Sequence, residues 1–179
     1  MNVQELSIAP YTHHNELNPL LWENSELRAE IRKKLLEIAK HFVDYLNTPL
    51  DIKDITFSGS NASYGYNEFS DIDLHLVADI SDPQQAEFYN AKKNQYNFTY
   101  NIKIKDIDVE LYVQDSNQPH ESLGVYSLVK DDWNRIPTAR RAHLDEPTTK
   151  VKYEKLGHVI EQALRSDNYA YVNQVLDTV

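Results

Sequence analysis

The sequence predicts an α+β fold: a small mixed β-sheet flanked by helices, with further helices at the C-terminus. Two patterns and their order along the chain predict it. Leu27, Ile31, Leu35, Ile38, Phe42 and Leu46 recur at steps of three and four, which is one apolar face of a helix. Asp71 to Val77 alternates polar and apolar with a period of two, which is a strand with one dry face. The full order reads helix, strand, strand, helix, strand, strand, helices, with no internal repeat and no low-complexity tract.

Taken in order, residues 1–24 are polar and mixed, with Pro10 and Pro19 as breakers, and read as an extended arm. Asn24 or Ser25 is placed to cap the first helix, and Asn47-Thr48-Pro49 stops it. Asp54 to Ser58 is a short strand running into Gly59-Ser60, and 61–67 is a turn or short helix. Asp82-Pro83 opens a second helix extending to about Tyr96, since proline suits the first turn. Two strands follow, around Thr99–Lys103 and Ile107–Gln114, with a hairpin turn near Asp106. Helices over 148–165 and 169–175 end the chain. The expected division is an arm (1–24), a core (25–125) and a helical extension packed on it (126–179).

Composition narrows the chemistry. The 179 residues include seven His, one Met, four Gly and no Cys, so disulfides, thiolate nucleophiles, Cys-ligated zinc and iron–sulfur clusters are excluded. There is neither an apolar run long enough to cross a bilayer nor a basic-then-apolar leader, so a soluble cytoplasmic protein without a membrane partner is expected. Net charge is −10. Residues 1–126 carry 20 acidic and 10 basic side chains, whereas 127–179 carry 8 of each. That sign disfavours sequence-independent binding to nucleic acid but suits carboxylates gathered around divalent metal.

One stretch joins three features suited to a nucleoside triphosphate. Gly59, at the end of an apolar strand, lets backbone approach a bulky anion, and Ser60 adds a hydroxyl donor. A helix starting after Ser60 would aim its unpaired N–H groups at phosphate. Asp71 and Asp73, two apart on one strand, leave from the same face with Cα atoms about 6.5–7 Å apart, a spacing at which hard-oxygen ligands share Mg²⁺. A third acid is offered by the strand after Lys105, where Glu110 and Asp108 share a face opposite Val109, Leu111 and Val113. Glu110 is preferred because apolar strand formers flank it, and Asp108 remains the alternative.

Phe57-Ser58-Gly59-Ser60, then Ser70-Asp71-Ile72-Asp73-Leu74, then Val109-Glu110-Leu111, resembles the DNA polymerase β-like nucleotidyltransferase superfamily. The flavour of Gly-Ser-Asn-Ala-Ser-Tyr and Val-Glu-Leu-Tyr-Val-Gln is similar to its small stand-alone members in bacteriophages and bacteria; the likeness spans about residues 50–115. The resemblance implies the minimal nucleotidyltransferase fold. It also implies transfer of a nucleoside monophosphate from an NTP, such as ATP, to an acceptor hydroxyl, with release of pyrophosphate. By that likeness Asp71 and Asp73 hold the metal on the triphosphate. With the third acid they hold a second Mg²⁺ or Mn²⁺ ion, and Gly59 and Ser60 grip the β and γ phosphates. Acceptors in view are an RNA or tRNA 3′ end, a protein hydroxyl or a small molecule. The competing reading is a binding or regulatory protein, of antitoxin or inhibitor type, that keeps the fold without turnover.

Other polar residues have plainer readings. His75 shares the aspartates' face and reads as a structural histidine. His13, His14 and His120 lack metalloprotease spacing, so zinc is set aside. Arg135, Arg140 and Arg141, with Lys150, Lys152 and Lys155, form the one locally basic stretch; acidic neighbours make it a solvated surface before a phosphate or RNA grip. Most of the twelve Tyr read as core or half-buried strand residues rather than a stacking platform for bases.

Overall fold

The computed structural model describes residues 13–80 and 82–138, together with 154, 157, 158, 160, 161 and 165. Backbone contacts divide the chain into two units, Pro10–Arg140 on one hand and Met1–Ala9 with Arg141–Val179 on the other. The six later residues are helical. The rest of the helices expected over 148–165 and 169–175 lies outside the described residues.

Pro10–Arg140 is a mixed α+β unit. A hairpin of β1 (Trp22–Glu23) and β2 (Glu26–Leu27) leads into helix α1 (Ala29–Leu46). Strand β3 (Ile52–Ser58) follows, then a single 3₁₀ turn (Ser60–Ala62), β4 (Ile72–Ala78) and helix α2 (Pro83–Tyr100). The remaining strands are β5 (Lys103–Ile104), β6 (Ile107–Asp115), β7 (Val125–Ser127) and β8 (Asp132–Arg135). Six strands make one sheet in the order β5-β6-β4-β3-β7-β8. Only β4 and β6 pair in parallel, which the crossover through α2 allows; the other neighbours are antiparallel.

The register sets the two faces of the sheet. Phe57 pairs with Leu74 and Leu74 with Leu111, so these side chains share the face covered by Ile31, Leu35, Phe42 and Leu46 of α1 and Tyr89 and Tyr96 of α2. Burying each such large side chain stabilises the fold by about 1.5–3 kcal/mol. On the opposite face Ser58 lies beside Asp73 and Asp73 beside Glu110, while Thr56, His75 and Tyr112 form the next row. Two helix-end asparagines, Asn47 and Asn101, adopt the left-handed conformation that stops α1 and α2. Asp82 caps α2 by accepting from the Gln84 N–H, with Pro83 next.

Four expectations are corrected. Residues 13–24 are not an arm: Leu17, Leu21 and Trp22 are buried, and the Trp22 indole stacks on Phe57 and Trp133. Asn24 and Ser25 do not cap α1; both have positive φ (50° and 66°) and form the two-residue turn between β1 and β2. The boundary at 125/126 cuts through β7, and 126–135 supply sheet strands rather than a helical extension. Helix α2 continues to Tyr100 rather than ending near Tyr96, so the following strand starts at Lys103. The last turn of α2 is anchored by Asn97, whose amide donates to the Leu111 carbonyl and accepts from its N–H. That contact also covers an otherwise open edge of β6.

Candidate metal and phosphate site

Asp71 immediately precedes β4, Asp73 is its second residue, and Glu110 stands directly opposite Asp73 on β6. One carboxylate oxygen from each of Asp71, Asp73 and Glu110 lies within 4.8 Å of the others. The Gly59-Ser60 bend adjoins this group because Ser58 pairs with Asp73. Gly59 has φ +81°, and a Cβ on it would stand 1.7 Å from Asp73 Oδ2. Only glycine allows both that backbone conformation and that approach. Ser58, opposite Asp73 on the same face, has a buried hydroxyl without a hydrogen-bond partner among the described residues.

Three carboxylates this close are electrostatically costly. Two unit charges 4 Å apart repel by about 4 kcal/mol at an effective dielectric near 20, so the group favours either a shared proton or a cation. Burial, then the Asp71 and Glu110 charges, push the Asp73 carboxyl up to about 7. Asp71 is also raised, first by burial, with Glu110 and Asp108 adding to it against a backbone hydrogen bond. Tyr112 donates its hydroxyl to Glu110, and burial followed by that bond raises the phenol. The donor set is all hard oxygen, which suits Mg²⁺ or Mn²⁺.

The bend and the acids are tied together by residues that sequence reasoning missed. The Asn61 side chain is buried and donates to the carbonyls of Ser70 (3.0 Å) and Asp71 (2.7 Å). Its oxygen accepts from Asn18 Nδ2 at 2.8 Å, and its backbone carbonyl accepts from the Trp22 indole at 2.7 Å. The Ser60 hydroxyl donates to Ser70 Oγ (2.7 Å), which also accepts from the Asn67 N–H. The helix expected after Ser60 is one 3₁₀ turn, so its dipole adds little; the close approach at Gly59 and the hydroxyls are what the bend offers an anion. The Gly59 N–H points to Ser122 Oγ at 3.4 Å, and Arg135 holds that loop by donating to the carbonyls of His120 and Ser122. Asn61 directly after Gly-Ser was the one available signal, and alone it is an ordinary turn residue.

The other candidates fall elsewhere. Asp108 is outside the carboxylate group and pairs with Lys103 Nζ at 2.9 Å. His75 stacks on Tyr112 and meets His120 edge-on, behind the acids; burial, then His120, push it down to about 4. His14 stacks on Tyr66 at 3.8 Å, remote in sequence from His120, which approaches Thr56. Arg140, Arg141, Lys150, Lys152 and Lys155 lie outside the described residues. Among those described, no helix is long and apolar enough to cross a membrane. No family model, curated protein or solved structure matches this chain.

Proposed function

We propose that this protein is a metal-dependent nucleotidyltransferase with the minimal fold of the DNA polymerase β-like superfamily, using an NTP donor. The observation that carries this reading is the contact between Asp73 and Gly59, which sets the three-carboxylate group directly against the bend suited to phosphate. Asp71 and Asp73 would hold the ion that also takes triphosphate oxygens, and Glu110 joins them around a second. Bound Mg²⁺ or Mn²⁺ would supply charge neutralisation at phosphorus and a more acidic attacking hydroxyl. Gly59 and Ser60 bind the β and γ phosphates, for which the Ser60 hydroxyl turns away from Ser70. Asn61 keeps bend and acids in one geometry, so rate comes from alignment and electrostatic preorganisation. Tyr112 orients the Glu110 carboxylate.

The test is incubation with each α-labelled NTP, Mg²⁺ or Mn²⁺, and separate pools of RNA, protein and metabolites. Label passes to one pool, and Asp71→Asn/Asp73→Asn abolishes transfer while keeping its circular dichroism spectrum. Equal labelling by that variant removes the aspartates from the reaction.

A further inference from the structure

The end of the sheet that carries the acids has an order. From β3 across to β5 it presents Gly59, then Asp73 with Asp71, then Glu110 and Asp108 together on β6, then β5 with the β5–β6 turn at Lys105-Asp106. On the proposed reading, on which this inference rests, the departing pyrophosphate lies at the Gly59 end. Displacement at phosphorus runs in line, so the entering hydroxyl must come from the opposite end.

A cavity of about 560 Å³ has one wall there: it reaches from the β5–β6 turn to the 66–70 loop and Asn18, and includes Ser70 and Asp108. That volume suits a small molecule. One wall is apolar and aromatic: the stacked His14–Tyr66 pair, with Phe69 (82% exposed) and Leu20 (52% exposed). Phe69 is two residues from Asp71 and spends almost its whole ring on solvent. The charged lining is Glu68, Asp106 and Asp108 against Lys105; of the lining residues, Ser70 directly precedes Asp71 in the chain and Asp108 stands two residues before Glu110 on β6. Such a wall attracts a ring and repels a phosphate chain.

We propose that this cavity is the acceptor site, and that its acceptor is a small ring-bearing hydroxyl compound carrying no negative charge. The acceptor ring packs on Phe69 and Tyr66, and its hydroxyl faces the acids. The hydroxyl oxygen forms the new bond to the α phosphorus, the bond from that phosphorus to the bridging oxygen breaks, and pyrophosphate leaves with the electron pair. The hydroxyl proton passes to solvent.

Three probes share one hydroxylated ring and differ in charge: tyramine is cationic, tyrosol neutral, and 4-hydroxyphenylacetate anionic. Each is titrated by NMR into the full chain with Mg²⁺ and a non-hydrolysable ATP analogue, beside a short oligo-RNA. Tyramine and tyrosol are expected to shift the amides of 66–70 and 105–108, with tyramine binding about tenfold tighter than 4-hydroxyphenylacetate at low salt. Phe69→Ala weakens all three without changing affinity for the ATP analogue. Glu68→Lys with Asp106→Asn, in which asparagine keeps the positive φ at 106, reverses the charge preference. Shifts elsewhere, equal affinities across the series, or tighter binding of the RNA at these amides overturn the proposal. An ATP analogue that binds while every probe fails also overturns it. An analogue that does not bind at all defeats the nucleotidyltransferase reading instead.

Discussion

At Gly59 the backbone and the chemistry meet in one residue. Its φ of +81° is strained for any side chain, and the space a Cβ would fill holds the Asp73 carboxylate. Gly59→Ala must therefore move the bend or turn Asp73 out of the acid group. Strain at such a position costs about 1–3 kcal/mol, and expelling the carboxylate oxygen adds to it. We expect a melting temperature lowered by several degrees and, in protein still folded at the assay temperature, Mn²⁺ affinity reduced by about tenfold or more. Titration of Mn²⁺ by electron paramagnetic resonance checks the second effect separately from the first. A variant that loses stability but binds Mn²⁺ as wild type does would show that Asp73 keeps its place without the glycine.

Between the bend and β4 the connection is long, yet the site is compact because Asn61 spans it. Its amide holds the carbonyls of Ser70 and Asp71 while its own oxygen and carbonyl are held by Asn18 and Trp22. Asn61→Ala removes the side-chain partner of those two carbonyls and of the buried Asn18 amide, at a cost of about 2–4 kcal/mol, while the backbone bonds of the 3₁₀ turn and the Trp22 indole remain. Asn18→Ala removes one bond at the far side of the same network. Calorimetry should show both variants destabilised, with Mn²⁺ affinity falling only in Asn61→Ala; an equal fall in both would assign Asn61 a purely structural role. This network was not legible beforehand, whereas the acids were, and the difference is physical. Asp73 and Glu110 sit in alternating strands and Asp71 extends the β4 alternation by one residue, so a period of two declares which side chains share a face. The Asn18–Asn61 bond joins residues 43 apart and leaves no local pattern. The same distinction covers the elements. Helix α1 and strand β4 announce themselves by periodicity, while β7 is three residues long and β8 is mostly exposed, so pairing rather than propensity makes them strands. Asn24-Ser25 misled because asparagine and serine suit a helix cap and a positive-φ turn alike.

Across the whole unit, the site's titrations oppose one another, and that sets how stability follows pH. A carboxyl held above its ordinary value keeps its proton more tightly in the folded chain, so Asp73, at about 7 against 3.8, weakens the fold as pH climbs through that window. Asp71 acts in the same direction. A histidine held below its ordinary value releases its proton more readily when folded, so His75, at about 4 against 6.5, strengthens the fold as pH climbs through that interval. His120, lowered first by burial, adds to it. Each shift of about three units corresponds to roughly 4 kcal/mol at most, so the two trends largely cancel from about pH 4 to 6.5. Above that range only the acids still titrate, and metal-free protein loses stability. Asp73→Asn removes the larger part of the falling trend, so its melting temperature should rise with pH where wild type stays level, and should exceed wild type at pH 8. Adding Mg²⁺ then separates the proteins further. An ion that binds only the folded state adds about 2.7 kcal/mol at 100 times its dissociation constant, and it displaces the proton that Asp73 retains. Wild type should recover its stability at pH 8 with Mg²⁺, while Asp73→Asn gains little. Calorimetric scans from pH 4 to 8, with Mg²⁺ or with chelator, read all four curves. If the two proteins trace parallel profiles in chelator, Asp73 does not hold its proton abnormally, and the crowding of the three carboxylates is relieved by other means.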